Sequence, residues 1–208
     1  MSVAIKAQDV KALRDLTGSG MMDSKRALEA TAGDLERARD WLRQKGFARA
    51  GVRAARSARE GTIEIYLHHN QQLGVLVELN SESDFVARTE GFRQLAHEIA
   101  LHVAAAAPRY LRREDVPAAL IERKREGFRR LAVEQKKPAA LIEKIVDGKL
   151  KEFYTREVML DQVWAKDDHR TVEQVLTEAI ASFGENITVS RFARFKIRDD
   201  EEGADGNR

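Results

Sequence analysis

The chain has no cysteine. That one absence excludes disulfides, thiol nucleophiles, CxxC redox chemistry and thiolate metal sites, and it suits a reducing cytoplasm. Long apolar runs are missing as well. The N-terminus lacks the hydrophobic stretch of a signal peptide, and no segment is long and apolar enough to span a bilayer. A soluble cytoplasmic protein without a membrane partner is therefore expected. Nor is there an excess of charge of one sign: 36 Lys and Arg stand against 34 Asp and Glu, for a formal net charge of +2. So balanced a surface permits nucleic-acid contact without requiring it. Catalytic signatures are absent too. The sequence holds no GxxxxGK[ST] phosphate loop, no strand-linked GxGxxG, no GxSxG elbow and no HExxH pair. Its carboxylates fall mostly on predicted helix surfaces, with no pair placed for acid–base work. The expectation is a binding protein with no cofactor, and not an enzyme.

What is present is an ordinary globular composition. Hydrophobic residues make up 43% of 208 positions, enough for a core in one large or two small domains. Residues 1–46 read as three short helices. Val10, Leu13 and Leu16 recur at helical spacing up to Thr17-Gly18, and Gly18-Ser19-Gly20 makes a turn. Asp23 can cap a second helix carrying Ala27 and Leu28, and Gly33 stops it. Asp34 can cap a third, with Leu35, Ala38, Trp41 and Leu42 on one face and Gly46 after it. Met21 and Met22 sit at a glycine-flanked helix entry, where a flexible thioether suits either a partner's groove or the bundle's own core. Residues 47–60 form a basic linker. From Arg43 to Arg59 there are six basic residues and no acidic one, a pattern open to an RNA or acidic-surface contact or to a solvated helical linker.

A sheet-containing core is expected over 61–197. Ile63, Ile65 and Leu67 alternate with Thr62, Glu64 and Tyr66; His68 to Gln72 is a turn; and Leu73, Val75, Val77 and Leu79 share one face of the return strand. His68 and His69 are neighbours, and on extended chain they would point to opposite faces, so they do not form a metal pair. Phe92, Leu95, Ala96, Ile99 and Val103 make a helical stripe ended by Pro108. Pro117 and Pro138 open two further apolar-striped helices, an antiparallel hairpin over about 117–155. Val158 to Trp164 reads as extended. Thr171 to Gln174 matches a capping box ahead of a helix that stops at Gly184. Ile187 to Ile197 alternates as a final strand, which can complete a three-stranded antiparallel sheet. Residues 198–208 are acidic and lack large apolar side chains, so a disordered tail is expected.

The stretch around which this plan turns is Glu78-Leu79-Asn80-Ser81-Glu82-Ser83-Asp84-Phe85-Val86-Ala87-Arg88. A strand ends there in residues that cap helices and make turns, and a phenyl ring follows a carboxylate at the mouth of a helix. Side-chain physics alone leaves two readings open: Asp84 as an N-cap with Phe85 tucked into its own core, or both held out from the surface. The stretch resembles the signature of the elongation factor Ts family, guanine-nucleotide exchange factors for elongation factor Tu. Leu13 to Leu28 resembles that family's N-terminal signature. The resemblance covers nearly the whole chain except the last ten or so residues. One departure is Ser83, where the family usually has Thr; the hydroxyl is kept and a methyl is lost.

The resemblance implies an α+β fold: a ubiquitin-associated-like bundle, then the sheet core with a projecting helical hairpin. It implies that Ser83, Asp84, Phe85 and Val86 bind elongation factor Tu and displace its magnesium ion, so that GDP leaves. Leu13, Met21 and Met22 would lie on the partner-facing surface, and His69 would contact the partner near its phosphate-binding loop. Nucleic acid is not required. Longer relatives carry two sheet-containing cores, one with the Asp-Phe loop and one with the histidine loop, whereas this chain has one core bearing both. Asp84 and His69 flank a strand from Leu73 to Asn80, about 25 Å long at ~3.4 Å per residue. A non-covalent homodimer in which each core supplies one role is therefore expected. An RNA- or ribosome-associated binding protein is the alternative, motivated by the arginine linker.

Overall fold

The computed structural model describes residues 5–17 and 19–197, and the side chains of 46–51 fall outside that description. Gly18 of the expected turn, the Arg49 side chain and the tail 198–208 thus lie outside the described residues. In chain order the elements are α1 (Ala7–Thr17), α2 (Met21–Ala30), α3 (Leu35–Arg53), β1 (Glu60–Leu67), β2 (Leu73–Ser81), α4 (Asp84–Ala87), α5 (Glu90–Ala106), α6 (Ala118–Glu134), α7 (Ala139–Glu157), α8 (Val172–Phe183) and β3 (Thr188–Lys196). Three helices precede a sheet-containing core, the expected α+β arrangement. Two compact units are formed, and the chain passes between them at Thr62–Ile63, Glu78–Leu79, Phe92–Arg93, Glu173–Gln174 and Thr188–Val189.

The first unit holds the three N-terminal helices. Their apolar stripes converge on Val10, Leu13, Ala27, Leu28 and Ala38, with Ile5, Trp41 and Leu42 packed around them. Asp34 caps α3 as expected, its Oδ1 accepting the Arg37 N–H at 3.0 Å. Asp23 does not cap α2. That helix begins two residues earlier, behind Gly20, and Asp23 lies in its first turn, where a carboxylate suits the positive end of the helix dipole. Nor does α3 stop at Gly46. It continues through Gly46 and Gly51 to Arg53, since each glycine costs a helix only about 1 kcal/mol and the Ala and Arg around them favour helix.

In the second unit β2 lies between β1 and β3. The His68 N–H donates to Leu73 O at 2.9 Å, and the Ile197 N–H to Gln72 O at 3.0 Å. Both neighbours therefore run antiparallel to β2. Val75 and Val77 are buried, and the same face carries Glu64 and Tyr66 of β1. Helix α5 meets it there. His97 Nδ1 lies 2.8 Å from Glu64 Oε1, and the Tyr66 and His97 rings stand edge to face. The apolar members of β1 consequently point the other way. Ile63, Ile65 and Leu67 are 59%, 67% and 60% exposed. In this register Leu76 and Phe195 share that outer face, and Arg191 pairs with Glu78 on it at 2.6 Å.

Helices α6 and α7 form the expected hairpin, with Pro117 and Pro138 at the cap positions. Arg129 pairs with Glu143 at 2.9 Å across it. At its base Val116, Phe153 and Val158 form a cluster with Tyr110 and Tyr154. The segment from Val158 to Trp164 is extended only in part, with Val163 bridged to Thr171. Val158 makes one bridge to Tyr110, and Met159–Asp161 winds into a 3-10 turn. Beside it a buried histidine organises the chain. His102 stacks on Trp164 at 5.2 Å between ring centroids. Its Nδ1 accepts the Ala165 N–H at 3.2 Å, which fixes the proton on Nε2 for donation to Gln162 Oε1 at 2.9 Å. The Gln162 amide then donates to Ala106 O and Arg156 O.

Burial holds the His102 pKa below the ordinary value of 6.5, against the opposing pull of Gln162. Protonation would also set an Nδ1–H against the Ala165 N–H. Because the folded pKa is lowered, the unfolded chain takes up the proton first. The stability due to neutral His102 is complete above about pH 6.5 and declines as pH falls through the window below it. Thermal unfolding followed from pH 7.5 to pH 5 should show a falling midpoint, with a smaller fall in His102→Gln. Equal pH dependence in the two proteins would show that His102 does not contribute.

Candidate partner-binding site

The site begins where β2 runs out. Its last residues, Asn80 and Ser81, are polar and buried. Each is satisfied: Asn80 Nδ2 donates to Glu60 O at 3.1 Å, and Ser81 Oγ to Ser83 O at 2.8 Å. Gly61 is needed opposite them, because a Cβ there would lie 2.2 Å from Leu79 O. Ser83 then takes an extended conformation and caps the four-residue helix α4, its Oγ accepting the Val86 N–H. Asp84 is thus not the cap. It is the first helical residue, exposed, with its carboxylate 3.0 Å from the Arg88 guanidinium.

Phe85 does not tuck into the core. It is 77% exposed, while its neighbours Val86 and Ala87 are buried at 8% and 6%. Helical geometry explains the split, since consecutive residues on so short a helix point in different directions. Leaving a phenyl ring in water forgoes about 1.5–3 kcal/mol of burial. Val86 therefore holds the turn down while Phe85 stands out beside a carboxylate.

Two residues that the sequence reading passed over hold this loop. The Glu185 carboxylate accepts twice from Ser83, from the backbone N–H at 3.0 Å and from Oγ at 2.6 Å. In the reverse sense Glu82 Oε1 accepts the Asn186 N–H at 2.7 Å. Glu82 also pairs with Arg56 at 3.5 Å, and Asn186 Nδ2 donates to Ala54 O and to Arg56 O. Arg53 donates to Ile180 O. Part of the arginine linker is thus engaged within the chain. No local pattern could have linked these residues to Ser83, a hundred positions away; the only hint was the stop signal at Gly184.

Met21 and Met22, in the first turn of α2, are 49% and 61% exposed. Leu13 is fully buried in the bundle core, so its expected place on a partner-facing surface is corrected. The α1 stripe turns it inward against Ala27 and Leu28. The exposed leucines of these helices are Leu16 and Leu35. His69 belongs to the second unit, exposed in the turn between β1 and β2. The rings of His68 and His69 do not diverge, because the strand ends at Leu67; their centroids are 4.2 Å apart, and Tyr66 Oη lies 2.7 Å from His68 Nδ1. Among the described residues one set of potential metal donors converges, Asp167, Asp168 and His169. It is a surface turn in which the His169 N–H and the Arg170 guanidinium hold the Asp167 carboxyl below the usual carboxylate range. Among the described residues, no helix is long and apolar enough to cross a membrane.

Residues 47–199 match the family model described as Elongation factor TS. The chain is similar to the protein named Elongation factor Ts of Geobacter sulfurreducens, at 49% identity over 94% of this chain and 90% of that one. It is similar to the one from Anaeromyxobacter dehalogenans, at 49% over 93% and 88%, and to the one from Fervidobacterium nodosum, at 50% over 93% and 98%.

Exposure makes a stability forecast that separates two phenylalanines a few residues apart. Phe92 has no exposed surface and stacks edge to face on Phe183. Phe92→Ala should cost about 3–5 kcal/mol in denaturant unfolding. Phe85→Ala should stay within about 0.5 kcal/mol of the parent. A large loss from Phe85→Ala would mean that the ring is packed in solution.

Proposed function

The chain belongs to the elongation factor Ts family, and on that premise we propose that it is a guanine-nucleotide exchange factor that binds elongation factor Tu carrying GDP and promotes GDP release by displacing the magnesium ion. The observation that carries this reading is Phe85, 77% exposed on a short helix whose next two residues are buried. An aromatic ring in water beside a carboxylate is suited to a partner's apolar crevice. Phe85 wedges between side chains of the partner's nucleotide-binding domain. Asp84 brings negative charge beside the elements that hold the magnesium ion, with Ser83 and Val86 fixing the turn between them. Magnesium bridges the nucleotide phosphates, so displacing its ligands weakens the nucleotide. Nucleotide and exchange factor then lower each other's affinity by the same factor. No covalent chemistry and no cofactor is involved, and the work is done in the cytoplasm.

Met21 and Met22 supply the anchor, joined by Leu16 in place of the buried Leu13. His69 makes a second contact near the partner's phosphate-binding loop. A single core must present both this histidine and the Asp-Phe loop, and a homodimer lets each copy supply one of them. Support for that assembly comes from the outer sheet face, where Ile63, Ile65, Leu67 and Phe195 are each more than half exposed. A second copy seated there by a two-fold axis would bury them.

Phe85→Ala should slow stimulated GDP release by roughly ten- to a hundredfold at subsaturating factor, the effect of losing ~1.5–3 kcal/mol of apolar burial. Release at the parental rate would remove the wedge. For the assembly, light scattering across a concentration series should give twice the chain mass, falling on dilution, and Ile65→Asp should shift the series towards monomer. A strict monomer with full exchange activity at every concentration would show that no dimer is needed.

A further inference from the structure

Three of the six buried polar residues among the described ones, Asn80, Ser81 and Asn186, belong to the two segments that meet just ahead of the Asp84-Phe85 helix. Buried polar groups add little net stability even when bonded, so their concentration at one place calls for a reason. Between those two segments runs a crossed pair of bonds, and Asn186 makes one of them. The Ser83 N–H reaches the Glu185 carboxylate at 3.0 Å, and the Asn186 N–H reaches the Glu82 carboxylate at 2.7 Å. Each segment thus offers one backbone donor and one carboxylate to the other. Ser83 Oγ spends its single proton on Glu185 Oε1 at 2.6 Å, which turns its lone pairs to the Val86 N–H. Glu185 therefore orients the cap that starts α4. Asn186 in turn ties the crossing to the chain after α3, through Ala54 O and Arg56 O, and Arg56 reaches Glu82.

We infer that this crossing of Glu82, Ser83, Glu185 and Asn186 is a positioning device that holds Phe85 at a fixed place relative to the C-terminal end of α3. The inference rests on the exchange reading. Phe85 cannot be held by its own burial, so its direction depends on the hydrogen bonds below it. A wedge already in place loses no ordering entropy on contact and acts on the bound nucleotide at once. Glu185 acts through Ser83, and the basic linker acts as a strut. A loosened crossing leaves the anchor intact, so the partner still binds, but the ring no longer meets the nucleotide-binding domain in one orientation.

The test measures GDP release from elongation factor Tu against factor concentration, for the parent chain, Glu185→Gln and Glu185→Ala. The parent is measured first; no stimulation by it removes the exchange reading itself. Given stimulation, the maximal rate should fall roughly tenfold or more in Glu185→Ala. It should fall less in Glu185→Gln, which keeps one acceptor, and the half-saturating concentration should move less than about threefold. A maximal rate equal to the parent's, or a loss carried wholly or equally by the half-saturating concentration, overturns the positioning role and leaves the exchange reading standing. Should Glu185→Ala not fold, amide hydrogen exchange on the parent carries the test. The Ser83 and Asn186 amides should exchange slowly, and rapid exchange at either overturns the inference.

Discussion

Hydrogen bonding at the end of β2 is the constraint on which the rest of the site depends. A strand that finishes in Asn80 and Ser81 buries polar groups where an apolar pair would pack more simply. Those groups are satisfied at Glu60 O and Ser83 O, and the residues that follow them are held by Glu185, by Asn186 and, through Asn186, by the backbone after α3. The result is a helix of four residues that would be far too short to persist alone. Its cap is oriented by a carboxylate a hundred residues away, and Val86 and Ala87 pin its inner side. Phe85 is then free to face outward without being free to wander.

Burial follows a different logic in the bundle and in the sheet. In the bundle Leu13 of α1 joins the core, while Leu16 of α1 and Met21 and Met22 of α2 remain outside, so the same helices serve both folding and surface. In the sheet β1 puts Glu64 and Tyr66 towards α5, where they meet His97, and leaves its isoleucines outside. A strand whose polar side faces its own helix and whose apolar side faces water has its usual preference inverted. Such a face gains by meeting another apolar surface.

Much of the fold was legible from periodicity. The alternation in β2, the α5 stripe and the two proline-started helices each identified an element, because burial on one side imposes the period. Boundaries were less so. Gly46 looked like a stop and Val158 to Trp164 looked extended, yet α3 runs on to Arg53 and a 3-10 turn follows α7; neighbouring propensity and tertiary contacts decided both. The resemblance to a family signature singled out Asp84 and Phe85 but could not say which side chain caps α4, since Ser83 and Asp84 are both competent. Leu13 was misplaced for a similar reason: a signature shared among relatives does not distinguish core residues from surface ones. Glu185 was invisible, because nothing in a linear sequence marks a carboxylate whose partner is so distant.

On the proposed function, the exposed ring at position 85 enters a partner. A photoreactive benzoylphenylalanine at that position keeps the aromatic body and reports what it touches. Irradiated with elongation factor Tu and no nucleotide, it should crosslink to the nucleotide-binding domain, with the yield dropping as GDP and magnesium are added. Crosslinks confined to the chain itself, or a yield indifferent to GDP, would rule that entry out.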